Sequence, residues 1–243
     1  MNIIEVKDYQ EMSKKAAEFV RDNVRRNPSV NLGLATGGTP VGMYKQLIED
    51  HQKNHTSYKN VTTFNLDEYI GLSEYNHNSY RYFMNVHLFD HIDIQMSKTN
   101  VPHGNVNDLK KECSDFEHLI KEHGGIDLQI LGIGSNGHIG FNEPGTSFDS
   151  QTHIIDLTHS TREANARFFG NRAEVPAQAI TMGIATIMKS KAILLLISGT
   201  NKREAFFQLV RGEISENFPA SVLRKHSCVT IIVDEAARGN VQV

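Results

Sequence analysis

Short apolar runs alternate along this chain with stretches of helical periodicity, and that alternation restricts the fold more than any other feature. Val30 to Ala35, Val61 to Leu66, Ile126 to Ile133, Lys191 to Ser198 and Val229 to Val233 read as buried strands. Tyr9 to Arg26 reads as a helix, with Met12, Ala16, Phe19, Val20 and Val24 on one face. A second helix opens at Pro40 and turns Tyr44, Leu47 and Ile48 inward. Proline suits a first helical turn because its missing N–H would be unpaired there anyway. Leu109, Cys113, Phe116 and Ile120 mark a helix that ends near Gly124-Gly125. Another follows Gly199, with Ala205, Phe206, Leu209 and Val210 inward. Strands alternating with helices predict a parallel sheet covered on both faces. The expected fold is therefore α/β: three layers, doubly wound and Rossmann-like, around a mostly parallel sheet. At 243 residues, with no repeat or linker-like shift in composition, 1–243 is expected to form a single domain.

Ligands in such sheets bind outside the carboxyl ends of the strands. Motifs that follow a strand are therefore the ones to weigh. Thr36-Gly37-Gly38-Thr39-Pro40 lies between a strand and a helix. Its glycines let the backbone turn tightly, so that N–H groups can meet an anion. An ordinary turn with Thr39 as helix N-cap would look the same. It is not a Walker A loop, because the GK[ST] ending is absent. Asp67-Glu68-Tyr69 follows Val61 to Leu66 directly, which places a carboxylate where a general base can work. A solvated turn acid is the plain alternative.

Gly132 to Gly137 matches the GxGxxG fingerprint, and Asp156 lies about where a ribose-binding acid would. A dinucleotide site is nevertheless rejected, because that fingerprint needs a helix to begin inside it. Here the chain continues His-Ile-Gly-Phe-Asn-Glu-Pro-Gly, without a helical face. What remains is a glycine-rich loop that carries Asn136, His138 and Glu143. Glu143 is placed to orient or tune the imidazole. The spacing of His138 and Glu143 is not that of HExxH, and no third ligand stands out, so no metal is expected. Ser198-Gly199-Thr200-Asn201-Lys202 again joins a strand to a helix, and Lys202 can reach an anion there or simply be solvated. Arg162 and Arg167, on a helix predicted from Ser160 to Phe169, are equally ambiguous when taken singly.

The net charge of −3 gives no electrostatic drive toward nucleic acid or an anionic membrane. An anionic ligand would have to be held by a few placed groups. Glu5, Lys7 and Asp8 stand where a signal peptide needs an apolar core, and Ala192 to Ile197 is far too short to span a membrane. Cys113 and Cys228 form no CxxC pair or metal spacing, which fits a reducing cytoplasm.

Together these residues resemble the glucosamine-6-phosphate deaminase (isomerase) family. The matching stretches are ATGGTP at 35–40, FNLDEYIGL at 64–72, GIGSNGHIGFNEP at 132–144 and LTHSTREANARFF at 157–169. Each is modest alone, but their order along nearly the whole chain is specific. The resemblance implies conversion of glucosamine 6-phosphate to fructose 6-phosphate and ammonia, without a cofactor. It implies that His138 opens the pyranose ring, that Glu143 and Asn136 hold and polarise that imidazole, and that Asp67 takes the C2 proton. It implies that Thr36, Gly37, Gly38 and Thr39 line the phosphate end, with Arg167 and Lys202 pairing its charge.

Two departures from the family pattern bear on function. Position 136 is Asn where some members have Asp, so the relay is expected to lean on Glu143. The chain stops at Val243, short of the hexameric members controlled by N-acetylglucosamine 6-phosphate, and His153, Ile155 and Asp156 replace basic effector contacts. A monomer or small oligomer with weak or absent allosteric control is therefore expected. The alternatives are a 6-phosphogluconolactonase-like hydrolase, which needs no base at C2, and a non-catalytic sugar-phosphate sensor. A sensor would be expected to carry a DNA-binding segment and to have lost its acid–base residues.

Overall fold

Seven parallel strands form the central sheet of this computed structural model, in the order β1-β10-β9-β6-β2-β3-β5. The structure describes residues 1–241; the side chains of Ser160, Ala164, Arg167, Phe168 and Arg172 lie outside the description. The strands are β1 (Asn2–Val6), β2 (Asn31–Leu34), β3 (Thr62–Asn65), β4 (Asp67–Tyr69), β5 (Thr99–Asn100), β6 (Leu128–Gly132), β7 (His153–Asp156), β8 (Gln178–Thr181), β9 (Ala192–Ile197) and β10 (Val229–Asp234). The helices are α1 (Tyr9–Arg26), α2 (Val41–Asn54), α3 (Tyr80–His87), α4 (Leu109–Glu122), α5 (His159–Phe169), α6 (Ile184–Met188), α7 (Arg203–Arg211) and α8 (Glu235–Arg238).

The three layers follow from strand alternation. In β9, Leu194 and Leu196 join a core with Met12, Ala16 and Val20 of α1 and Met43, Tyr44 and Leu47 of α2. Ile193, Leu195 and Ile197 face the other way, into a core with Phe116 and Ile120 of α4 and Phe206 and Leu209 of α7. A strand buried on both faces must be apolar throughout, which is why AILLLI shows no alternation. The chain runs from β2 outward to β3 and β5. It then returns to β6 on the other side of β2 and runs outward through β9 and β10. The sheet therefore switches direction between β2 and β6, where a crevice opens at the carboxyl ends.

Several local expectations are revised. Pro40 is the residue before the first helical turn of α2, and that helix has no side-chain cap, so Thr39 is not its N-cap. α5 begins one residue earlier than predicted, with Thr158 accepting from the Thr161 N–H. A 3-10 turn at Thr200–Lys202 precedes α7. Asp67–Tyr69 is itself a strand: β4 pairs antiparallel with β8, which pairs with β7, in a second sheet. β7, at His153–Asp156, follows the glycine-rich loop. The strands β1, β5, β7 and β8 are too short or too polar to stand out by periodicity.

Candidate active site

The crevice at the switch point is a cleft of about 380 Å³. The loop after β2 forms one end with Thr36, Gly37, Gly38 and Thr39, joined by Asn201 and Lys202 from the turn after β9. Asp67 and Tyr80 form one wall; Gly134, Ser135 and His138 of the glycine-rich loop form another; Thr161 and Asn165 of α5 close the remaining side.

The loop at 36–39 is held from outside. Tyr9 Oη of α1 donates to the Gly38 carbonyl at 3.0 Å and accepts from the Gly42 N–H at 2.8 Å. Among the described residues, the N–H groups of Thr36, Gly37, Gly38 and Thr39 have no hydrogen-bond partner within the chain. An anion at this end would supply acceptors for them. The turn that presents Lys202 is fixed by Asp234, whose carboxylate accepts from Ser198 Oγ at 2.5 Å and from the Gly199 N–H at 3.1 Å.

Asp67 stands at the start of β4, buried beside the cleft at 6% exposure. Burial, reinforced by the neighbouring Glu68 carboxylate, pushes its pKa up to about 8. A carboxyl group in that range can both give and take a proton near neutral pH.

His138 lies across a loop whose glycines are required by close approach. A Cβ at Gly134 would fall 2.3 Å from the His138 ring. Gly137 has φ +86°, and a Cβ there would fall 2.3 Å from the Phe218 ring. Behind the imidazole sits Glu143, at 5% exposure. Its Oε2 is 3.7 Å from His138 Nδ1, an ion-pair contact longer than a hydrogen bond. The same oxygen accepts from Asn136 Nδ2 at 2.7 Å, and Oε1 accepts from Thr161 Oγ1. Burial favours the neutral acid at Glu143, but His138, Thr161 and Asn136 outweigh it and hold the pKa at about 2. Glu143 is therefore an anion throughout the physiological range.

The structure brings nearly all the sequence-predicted residues together. Thr36, Gly37, Gly38, Thr39, Asp67, His138 and Lys202 line the cleft. Asn136 and Glu143 stand behind His138 and reach the cleft through it. The Arg167 side chain lies outside the described residues, although its helix α5 contributes Thr161 and Asn165 to the wall. Sequence reasoning missed Thr161, Tyr80 and Asn165. Thr161 follows Thr158 by three residues, a spacing that reads only as helix-start chemistry. Tyr80 reads as an ordinary core aromatic, and it does stack on Phe141 at 6.0 Å. Among the described residues, no group of three or more His, Cys, Asp or Glu side chains is placed to hold a metal. No helix among them is long and apolar enough to cross a membrane.

Comparison with known proteins gives a consistent pattern. A glucosamine-6-phosphate deaminase of Halalkalibacterium halodurans is 57% identical over 243 residues, covering 100% of this chain and 99% of that protein. One from a Geobacillus species is 58% identical over 98% of this chain and 94% of its own length. Among solved structures, a monomeric glucosamine-6-phosphate deaminase superposes with a TM-score of 0.96 at 52% identity, covering 98% of both chains. A 6-phosphogluconolactonase from Thermotoga maritima superposes at 0.75 with 20% identity, covering 96% of this chain and 99% of that one, which shows a shared fold. The family model describing glucosamine-6-phosphate isomerases and 6-phosphogluconolactonases matches residues 7–232, and this chain belongs to that family.

Proposed function

We propose that this protein is an isomerising deaminase that converts glucosamine 6-phosphate and water to fructose 6-phosphate and ammonia. The observation that carries the reading is the pairing, in one cleft, of a buried carboxyl group with pKa near 8 and an imidazole backed by a permanent anion. Aldose–ketose chemistry needs a base at C2 and a separate proton shuttle at O1 and O5, and it needs no hydride acceptor.

In this reading the phosphate rests on the N–H groups of 36–39, with Lys202 and Arg167 pairing its charge. Binding at that non-reacting end fixes the sugar relative to Asp67 and His138. His138 takes the proton of the O1 hydroxyl and delivers one to the ring oxygen, opening the pyranose. Glu143 stabilises the imidazolium formed on the way, and Asn136 and Thr161 hold Glu143. Asp67 then removes the C2 proton, leaving a cis-enolamine, and a proton is returned at C1. Water hydrolyses the resulting C2 imine, releasing ammonia and the ketose. The substrate ammonium on C2 lies beside Asp67 and favours its ionised form at the moment of proton removal.

A monomer or small oligomer with weak or absent allosteric control belongs to the same proposal; the monomeric relative of matching length supports the first of these states. So does a cytoplasmic location, supported by two unpaired cysteines. Incubation with glucosamine 6-phosphate, followed by assay of ammonia and fructose 6-phosphate, tests the reading. Hydrolysis of 6-phosphogluconolactone without ammonia release would move the protein to the other activity in the family's description. Binding without turnover would make it a sensor.

A further inference from the structure

We propose that Glu68 is a positioning residue for this reaction: it sets a hydrogen-bonded carboxylate behind Asp67 and clamps the helix that carries Tyr80 into the cleft. The inference rests on the deaminase reading. Side chains alternate along β4, so Asp67 and Glu68 leave opposite faces of the strand. Asp67 lines the active-site cleft, while Glu68 lines a separate hollow of about 240 Å³ together with Arg81 and His103.

Glu68 is only 3% exposed, yet its carboxylate is well supplied with donors. Oε1 accepts from the Tyr69 N–H at 2.8 Å and the Tyr80 N–H at 2.9 Å, and Oε2 accepts from the Arg81 N–H at 3.0 Å. Tyr80 and Arg81 open α3, where N–H groups have no acceptor within the helix and the dipole favours an anion. The Arg81 guanidinium is held by Thr99, through Oγ1 at 2.7 Å and the carbonyl at 2.8 Å. Burial raises the Glu68 pKa above its ordinary value, and the three N–H donors and the Arg81 charge work against that rise. Tyr80 is thereby tied to the strand of the base, with its ring 4.8 Å from that of Tyr69.

The two carboxyl groups are covalent neighbours in unlike surroundings. Glu68 has N–H donors and a helix start; no hydrogen bond from a described residue reaches the Asp67 carboxyl group. Groups of this kind lose their protons as a coupled pair. Burial is the larger cause that holds the proton on Asp67, and the Glu68 carboxylate beside it adds to the effect. The other titratable or charged groups around Asp67 are Tyr69 on its own strand, Tyr80 on α3, His138 with Glu143 behind it, and Lys202 across the cleft.

The experiment compares the pH dependence of kcat/KM for glucosamine 6-phosphate in the wild type, Glu68→Gln and Glu68→Asp. Glu68→Gln removes the charge but keeps the reach, and the acid limb should move down by roughly one pH unit. Glu68→Asp keeps the charge but shortens the clamp, so the limb should stay while KM rises several-fold. A loss of thermal stability in Glu68→Gln with an unmoved acid limb would reduce Glu68 to a helix cap and overturn the proposal. Carboxyl 13C NMR of the wild type reads the same coupling without any variant. The Asp67 resonance, assigned by its loss in Asp67→Asn, should titrate in two steps; a single step in the usual carboxylate range overturns the proposal. If the wild type released no ammonia but Asp67 still titrated in two steps, the deaminase reading would fail while the charge arrangement stood.

Discussion

Asn136 Nδ2 donates to Glu143 Oε2 at 2.7 Å, the carboxylate oxygen that also faces His138 Nδ1 at 3.7 Å. Asn136 Oδ1 in turn accepts from the His138 backbone N–H at 3.2 Å. The amide at 136 is therefore more than a neutral substitute for a carboxylate. It supplies a donor that an Asp could not supply without taking up a proton. Asn136→Asp should retain turnover within about tenfold. It should also cost about 1–2 kcal/mol of stability at neutral pH, by setting two carboxylates together and removing a hydrogen bond to a charge. Steady-state kinetics and urea unfolding on the same variant check both parts.

Glu143 makes the protein sensitive to acid. Its proton leaves at about 2 in the folded protein, against an ordinary value of 4.5. A depressed folded pKa contributes stability above the unfolded value and loses it as pH falls toward the folded one. The window is therefore pH 4.5 down to about 2, and the size is about 3 kcal/mol. Thr161→Val removes one donor to Glu143 and should move the acid unfolding midpoint to higher pH. Circular dichroism across that range reads it directly.

Asp67 acts with the opposite sign. Its folded pKa of about 8 exceeds the ordinary 3.8, so between those values the folded state holds a proton that the unfolded chain has released. Stability from this group is present below the unfolded pKa and declines as pH rises toward 8. Asp67→Asn should therefore raise the melting temperature at pH 8 and change it little at pH 4. A melting temperature equally raised, or equally lowered, at both pH values would show that Asp67 is not held in this way. A gain in stability where function is lost is the usual mark of a site built for chemistry.

Lys202 should act on binding more than on the chemical step. Lys202→Met is expected to raise KM for the sugar phosphate by about tenfold or more while kcat falls less, because the phosphate end does not react. Competitive inhibition by inorganic phosphate should weaken in parallel. A fall in kcat at unchanged KM would place Lys202 outside the phosphate end.

The architecture was legible in the sequence because the buried parallel strands are apolar on both faces; AILLLI at 192–197 admits little else. The second sheet was not legible. β4 is a three-residue strand of two acids and a tyrosine, and only its pairing with Gln178–Thr181 reveals it. The motif residues could be found because chemistry and glycine constraints coincide there: Gly134 and Gly137 are small where His138 and Phe218 press against them. Thr161 and Glu68 were not found. Their importance lies in which carboxylate or N–H they meet, and Thr161 lies 18 residues from Glu143 along the chain. Periodicity carries no information about such meetings.

The central claim is that Asp67 performs the proton transfer at C2 that commits glucosamine 6-phosphate to ammonia release. The direct measurement is a side-by-side assay of ammonia and fructose 6-phosphate formed by wild-type protein and by Asp67→Asn, each confirmed folded by its melting curve. Equimolar products from the wild type, and turnover at least about 1,000-fold lower in the variant, are expected. Near-normal turnover by Asp67→Asn, or no ammonia from the wild type, would contradict the account.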